Sequence, residues 1–196
     1  MTNRLEQQMK FILEVDKLKF VNRQSYLSDG NRKENDAEHS WHLALMASLL
    51  YEYAEKELDL AKTMTMVLIH DIVEIDAGDT YAYDEAGNAT KREREVKAAE
   101  RIFNILPEDQ ALKMRNMWEE FEACESPEAK FAHVLDNAQP LMLNDATDGR
   151  AWRERKIKKS QVMQRNEKTK EGSKEMGDYV QEIIDRNVEN GNLKDA

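Results

Sequence analysis

The chain reads as an all-α, single-domain helical bundle, and three observations carry that reading. Its 196 residues suffice for one substantial core and give no reason to posit a second domain. Only 7 glycines and 3 prolines are present, too few turn formers for a chain of many short strands. Apolar residues, 40% of the total, recur at the three-and-four spacing of helices with one buried face.

The elements follow in order. Leu5, Met9, Phe11, Ile12, Val15, Leu18 and Phe20 make one stripe opposite Glu6, Gln7, Lys10, Asp16 and Lys17, which predicts a helix over 4–21. Arg23 to Lys33, with Ser28-Asp29-Gly30-Asn31 inside it, is a loop of turn formers and positive charge. Asn35 or Asp36 caps a helix over 36–57 that turns Trp41, Leu45, Met46, Leu49 and Leu50 inward. Asp59 caps the next, with Met64, Val67, Leu68, Ile72 and Val73 buried and Gly78 just past its end. Asp79 to Ala89 lacks a helical period and contains Gly87-Asn88, so a mobile loop is expected. Thr90-Lys91-Arg92-Glu93 resembles a capping box opening a helix to Leu106. Pro107 and then Ser126-Pro127 start two more, with acids in the first turns where the helix dipole favours them. Trp152 to Gly172 spreads Ile157, Val162 and Met163 among many Lys and Arg, and reads as a solvated helix in preference to a phosphate-binding patch. A last helix over 174–190 buries Met176, Tyr179, Val180, Ile183 and Ile184 before Gly191. A core over 15–145 and C-terminal helices over 152–190 are expected to form one domain.

Composition narrows the partners. A formal net charge of -10 argues against an extended grip on a nucleic-acid polymer and leaves room only for a local basic pocket. The single cysteine, Cys124, excludes an intramolecular disulfide and suits a reducing cytoplasm. No stretch approaches the roughly 18 apolar residues of a membrane span, and the first residues lack a secretory apolar core, so a cytoplasmic protein off the membrane is expected.

The chemistry lies in Leu68-Ile69-His70-Asp71-Ile72-Val73-Glu74-Ile75, where polar side chains interrupt a run that otherwise wants burial. Together with His39 and the distant Asp136, His70 and Asp71 make two imidazoles and two carboxylates, a charge-balanced set for one divalent Mn, Fe, Co, Ni or Zn ion. Such an ion lowers the pKa of bound water from about 15.7 toward roughly 7 to 9. Glu74, one helical turn beyond, is placed to shuttle a proton, and Asp79 to orient a nucleophilic water. His42 reads as a hydrogen-bonded core residue and His133 as a supporting or surface one.

With those residues in place, Glu34-Asn35-Asp36-Ala37-Glu38-His39-Ser40-Trp41-His42 and Ile69-His70-Asp71-Ile72-Val73-Glu74-Ile75-Asp76-Ala77-Gly78-Asp79-Thr80 resemble the HD superfamily of metal-dependent phosphohydrolases over about 15–145. The subgroup they are similar to contains bacterial 5'-deoxyribonucleotidases and many uncharacterised hydrolases. The resemblance implies a helical HD domain, a divalent metal on His39, His70, Asp71 and Asp136, proton transfer by Glu74 and a water beside Asp79. It also implies an arginine on the substrate phosphate, Arg23 or Arg32, and a homodimer. The relatives carry Trp after that arginine, where this chain has Gln24. The expected activity is a phosphomonoesterase for nucleoside 5'-monophosphates or similar small phosphate esters. The alternatives are a phosphodiesterase for a signalling nucleotide and a non-catalytic metal- or nucleotide-binding sensor.

Overall fold

In a computed structural model that describes residues 3–194, the helices start where the capping residues put them, and the departures have local causes. The first helix, α1 (Arg4–Val15), is capped by Asn3 and tightens into a 3-10 segment, Asp16–Phe20. Its apolar stripe is not buried: Leu5, Met9, Ile12 and Leu13 face outward, and Leu18 is the residue that enters the core. The expected loop is instead an antiparallel hairpin, β1 (Asn22–Tyr26) with β2 (Lys33–Asn35). Gly30, at φ 70°, makes the turn in the left-handed region that other residues enter only at a cost. An otherwise helical fold thus carries one small ribbon among its described residues.

Asn35 both ends β2 and caps α2 (Asp36–Leu50) in a reciprocal box with Glu38. The buried face of α2 is the one carrying His39, Ser40, Leu43, Met46 and Ala47, so Trp41, Leu45 and Leu49, expected inside, are exposed. Helix α3 (Leu60–Ile69), capped by Asp59, was expected to run on unbroken. It gives way to a 3-10 turn over His70–Val73 and a last turn, α4 (Glu74–Ala77), closed by Gly78 at φ 74°. Leu68, also expected inside, is partly exposed.

Asp84 caps α5 (Glu85–Phe103), which therefore starts inside the expected loop, and Thr90 lies within it. Gly87 and Asn88 are absorbed because Asp84 accepts from the Gly87 N–H and Asn88 donates back to the loop carbonyls. Helices α6 (Glu108–Ala123) and α7 (Pro127–Ala146) begin at Pro107 and Ser126 as expected. The basic segment breaks into α8 (Arg150–Arg155), α9 (Lys159–Arg165) and α10 (Thr169–Gly172), and α11 (Lys174–Glu189) closes the chain, with Tyr179 left partly exposed.

Helix α7 organises the interior. One face, with Phe131, Ala132 and Leu135, packs on α2, α3 and α6. Another, with Val134, Ala138 and Leu141, packs on α8 and α11. A third cluster, around Ile72, Ile102, Phe103 and Trp118, fixes α5 and α6 against the 3-10 turn. No described helix is long and apolar enough to cross a membrane.

Candidate metal centre and active site

Helices α2 and α7 and the 3-10 turn meet at one polar point. His39 is fully buried on α2 and His70 nearly so, and donor atoms of His39, His70 and Asp136 lie within 4.8 Å of one another. Asp136 Oδ1 is 3.0 Å from His39 Nε2 and 3.7 Å from His70 Nε2. Asp71 approaches His70 Nε2 through Oδ1 at 3.1 Å and His39 Nε2 through Oδ2 at 3.9 Å. In a 3-10 turn side chains three residues apart eclipse, which sets Asp71 and Glu74 on one face.

The far nitrogens of both rings are spoken for. His70 Nδ1 donates to the Val67 carbonyl at 2.9 Å, and His39 Nδ1 donates to Gln139 Oε1 at 3.0 Å. The Gln139 orientation is fixed in turn, because its amide donates to Glu34 at 2.6 Å. Each Nε2 of a neutral ring therefore presents a lone pair to carboxylate oxygens, and that of His70 has no hydrogen-bond partner. Lone pairs converging on one another repel unless a cation stands between them. Two imidazole nitrogens and two carboxylates fit a divalent transition metal by donor type and charge, and their far sides are held as such ligands usually are.

The titration of these groups tells the same story. Burial and the Arg23 charge push His39 down to about 4. Burial opposes protonation of His70 as well, but Asp71 and Asp136 outweigh it and push that ring up to about 10. Burial raises Asp71 and Asp136, yet His70 and Arg23 outweigh it for the first, and the neighbouring His39 and His70 rings for the second, so both fall below the usual carboxylate range. Unaided, the cluster recruits a proton where it has room for a stronger positive charge.

A second carboxylate set, Asp36, Asp71 and Glu74, adjoins the first. Burial and the neighbouring Asp71 push Asp36 up to about 8, and burial with Asp71 and Asp36 raises Glu74 well above its ordinary value. Burial thus favours the protonated form of Glu74, and its Oε2 has no partner. Asp79, just past Gly78, lines the same cavity as Glu74, and burial raises it too.

Two cavities reach the cluster. One, of about 100 Å³, lies under the 79–84 loop and is walled by Tyr81, Tyr83 and Trp152. The other, of about 650 Å³, opens between α6, α7 and α9 onto His70, Asp71 and Asp136.

The two arginines expected on a phosphate are far from equivalent. Arg23 is buried inside the cluster, its Nη1 2.7 Å from Asp71 and 3.4 Å from Asp36 and its Nε 3.8 Å from Glu34. Arg32 is exposed, clamped bidentately by Glu38, and lines neither cavity. The structure does not bring it to the others, because the cap that sets α2 also claims its guanidinium. His42 lies 3.2 Å from Gln139, and His133 stacks on Phe121 and bonds its carbonyl, so both serve the frame.

Four cluster residues have no chemical role predicted from the sequence. Glu34 and Asp36 stand inside the motif around His39, and Asp36 is expected there only as a possible helix cap. Gln139 carried a usable signal, a lone amide between Ala138 and Pro140 three residues after Asp136, hence on the same helix face. Arg165 had none; its place depends on how three short helices pack.

The HD domain family profile matches residues 15–177. The chain is 30% identical over 135 residues to the 5'-deoxynucleotidase HDDC2 of Homo sapiens, an alignment taking in 68% of this chain and 65% of that protein. The match thus spans just under two thirds of that relative's length. A crystal structure of a predicted metal-dependent phosphohydrolase from Magnetospirillum magnetotacticum superposes with a TM-score of 0.94 at 47% identity, over 98% of this chain and 96% of that one. A conserved hypothetical protein from Pyrococcus furiosus shares the fold, with a TM-score of 0.62 at 22% identity over 92% of this chain and 99% of that one.

Proposed function

The chain belongs to the HD-domain family, and on that premise we propose that it is a metal-dependent phosphomonoesterase acting on nucleoside 5'-monophosphates or similar small phosphate esters. The observation that carries this reading is the set of histidine and carboxylate donors converging on one point beside Glu74, whose buried Oε2 has no partner. Similarity to the human 5'-deoxynucleotidase favours a nucleotide substrate, and similarity to the predicted metal-dependent phosphohydrolase of Magnetospirillum favours metal-dependent phosphate chemistry.

His39, His70, Asp71 and Asp136 hold one divalent ion, of the Mn, Fe, Co, Ni or Zn class that takes mixed nitrogen and oxygen ligands. When bound, that ion supplies Lewis acidity to a phosphate oxygen and acidifies water. The chain's own residues do the rest. Gln139 and the Val67 carbonyl hold the imidazoles in the ligating tautomer. Arg23 balances the charge of Asp71 and Asp36, so that the cluster tolerates its carboxylates. Asp79 orients the attacking water at the cavity wall and accepts its proton as the new P–O bond forms, and Glu74 in its protonated form donates to the leaving alcohol as the ester P–O bond breaks. The exposed apolar side chains of α1 and α2 support a homodimer, and the single cysteine a cytoplasmic setting.

Phosphate release from a panel of nucleotides and sugar phosphates, with Mn, Co or Zn supplied, tests the reading. Wild type should release phosphate from monoesters. Glu74→Gln should keep its metal and lose about 10²- to 10⁴-fold in rate, the scale of a general acid. An inactive metal-loaded wild type, or a Glu74→Gln variant as fast as wild type, would overturn it.

A further inference from the structure

Arg165, at the end of α9, sits where the two cavities join. Five residues line both: Asp71, Lys91, Asp136, Asn137 and Arg165. Only two of them are cations. Lys91 has its ammonium 3.3 Å from Glu95. The guanidinium of Arg165 donates no hydrogen bond among the described residues, and its nearest acid is Asp136, whose Oδ2 is 3.6 Å from Nη2. Asp136 thus faces the histidines with one oxygen and Arg165 with the other.

Arg23 lines only the smaller cavity, and its donors face carboxylates. Arg23 is surrounded by three carboxylates and only 11% exposed at its side chain, whereas the side chain of Arg165 is 34% exposed and opens to both cavities. A planar guanidinium with unused donors is the best-matched protein partner for phosphate oxygens. A dianion approaching Asp71, Glu74, Asp79 and Asp136 also needs positive charge beyond that of a metal, and Arg165 lies on the approach. The other arginines of the basic segment line neither cavity: Arg150 stacks on Tyr26, Arg153 is exposed, and Arg155 stacks on the outside of Tyr81.

We propose that Arg165 holds the phosphate of the substrate, at the junction of the two cavities and across Asp136 from the histidines, with Lys91 lining the same junction. This rests on the phosphohydrolase reading for its substrate, but binding can be measured without turnover. The experiment is calorimetric titration of the purified, metal-assayed protein with inorganic phosphate, as wild type, Arg165→Gln, Arg165→Lys and, as a control, the exposed Arg153→Gln. Arg165→Gln should bind phosphate about ten- to a hundredfold more weakly, the scale of a lost hydrogen bond to a charged group. Arg165→Lys should fall between, Arg153→Gln should match wild type, and all four should carry equal metal. In monoester assays Arg165→Gln should raise KM more than it lowers kcat. Undiminished phosphate binding by Arg165→Gln, equal weakening in Arg153→Gln, or a wild type that binds no phosphate would overturn the inference. A wild type that binds phosphate through Arg165 yet hydrolyses no ester would sink the proposed activity and leave this site standing.

Discussion

The centre of this protein and its α1–α2 surface depart from the usual distribution of residues in opposite directions. At the centre, His39, Glu34, Asp36, His70, Asp71 and Glu74 are buried where apolar side chains normally pack. On the surface, Leu13 is 73%, Trp41 64% and Leu49 63% exposed where polar ones are expected. Burying charge is costly unless it is paired, and a run of exposed large apolar side chains marks a contact surface. On the proposed reading, each region is completed by something outside the folded chain: a cation inside and a second copy outside.

The comparison breaks most sharply if a ligand is removed. Asp71→Ala should lose the metal and about a thousandfold or more in rate, read by elemental analysis and phosphate release. It should also destabilise the fold, because Arg23 would be left buried without its closest partner. Retained metal and rate in this variant would mean the centre needs no ion. A gentler probe is Gln139→Ala, which frees the His39 ring without touching a ligand. Metal affinity should drop by about 10- to 100-fold, measured by competition with a chelator, and an unchanged affinity would show that the amide does not orient the imidazole.

On the outside, a Leu45→Glu and Leu49→Glu double variant places charge on the exposed face of α2. Sedimentation should show wild type as a dimer and the variant as a monomer with its helical spectrum intact. A wild-type monomer would remove the second half of the comparison.

The smallest effect concerns pH. Burial raises Glu34 to about 7 and Asp36 to about 8. Groups raised on folding contribute stability that is fully present below their unfolded values, 4.5 and 3.8, and is lost as pH rises through 7 and 8. His39, lowered to about 4, acts in the opposite sense, but only below its unfolded 6.5. Between pH 6.5 and 8 the chelator-treated protein should therefore melt at falling temperature, and metal should flatten the slope. A metal-free protein more stable at pH 8 than at 6.5 would contradict these assignments.

Much of this was legible in the sequence because it is local. Asn35, Asp59 and Ser126 cap helices through their own side chains, and His70-Asp71 stands out as polar residues in an apolar run. Which face of α2 is buried was not legible: Trp41, Leu45 and Leu49 form as good a stripe as Leu43, Met46 and Ala47, and only the position of α7 chooses between them. The 3-10 break at His70 was hidden for a similar reason, since it is imposed by packing on α5 and not by a helix breaker. Arg165 depends on tertiary structure altogether, coming to Asp136 from 29 residues along the chain through two short helices.

The central claim is that the buried donors hold an ion, and elemental analysis of purified wild type beside Asp136→Ala, after incubation with Mn, Co or Zn and desalting, tests it most directly. The account predicts about one divalent ion per wild-type chain and less than about a tenth of that in Asp136→Ala, as ligand loss requires. A wild type that retains no ion, or an Asp136→Ala variant that retains as much, would contradict it.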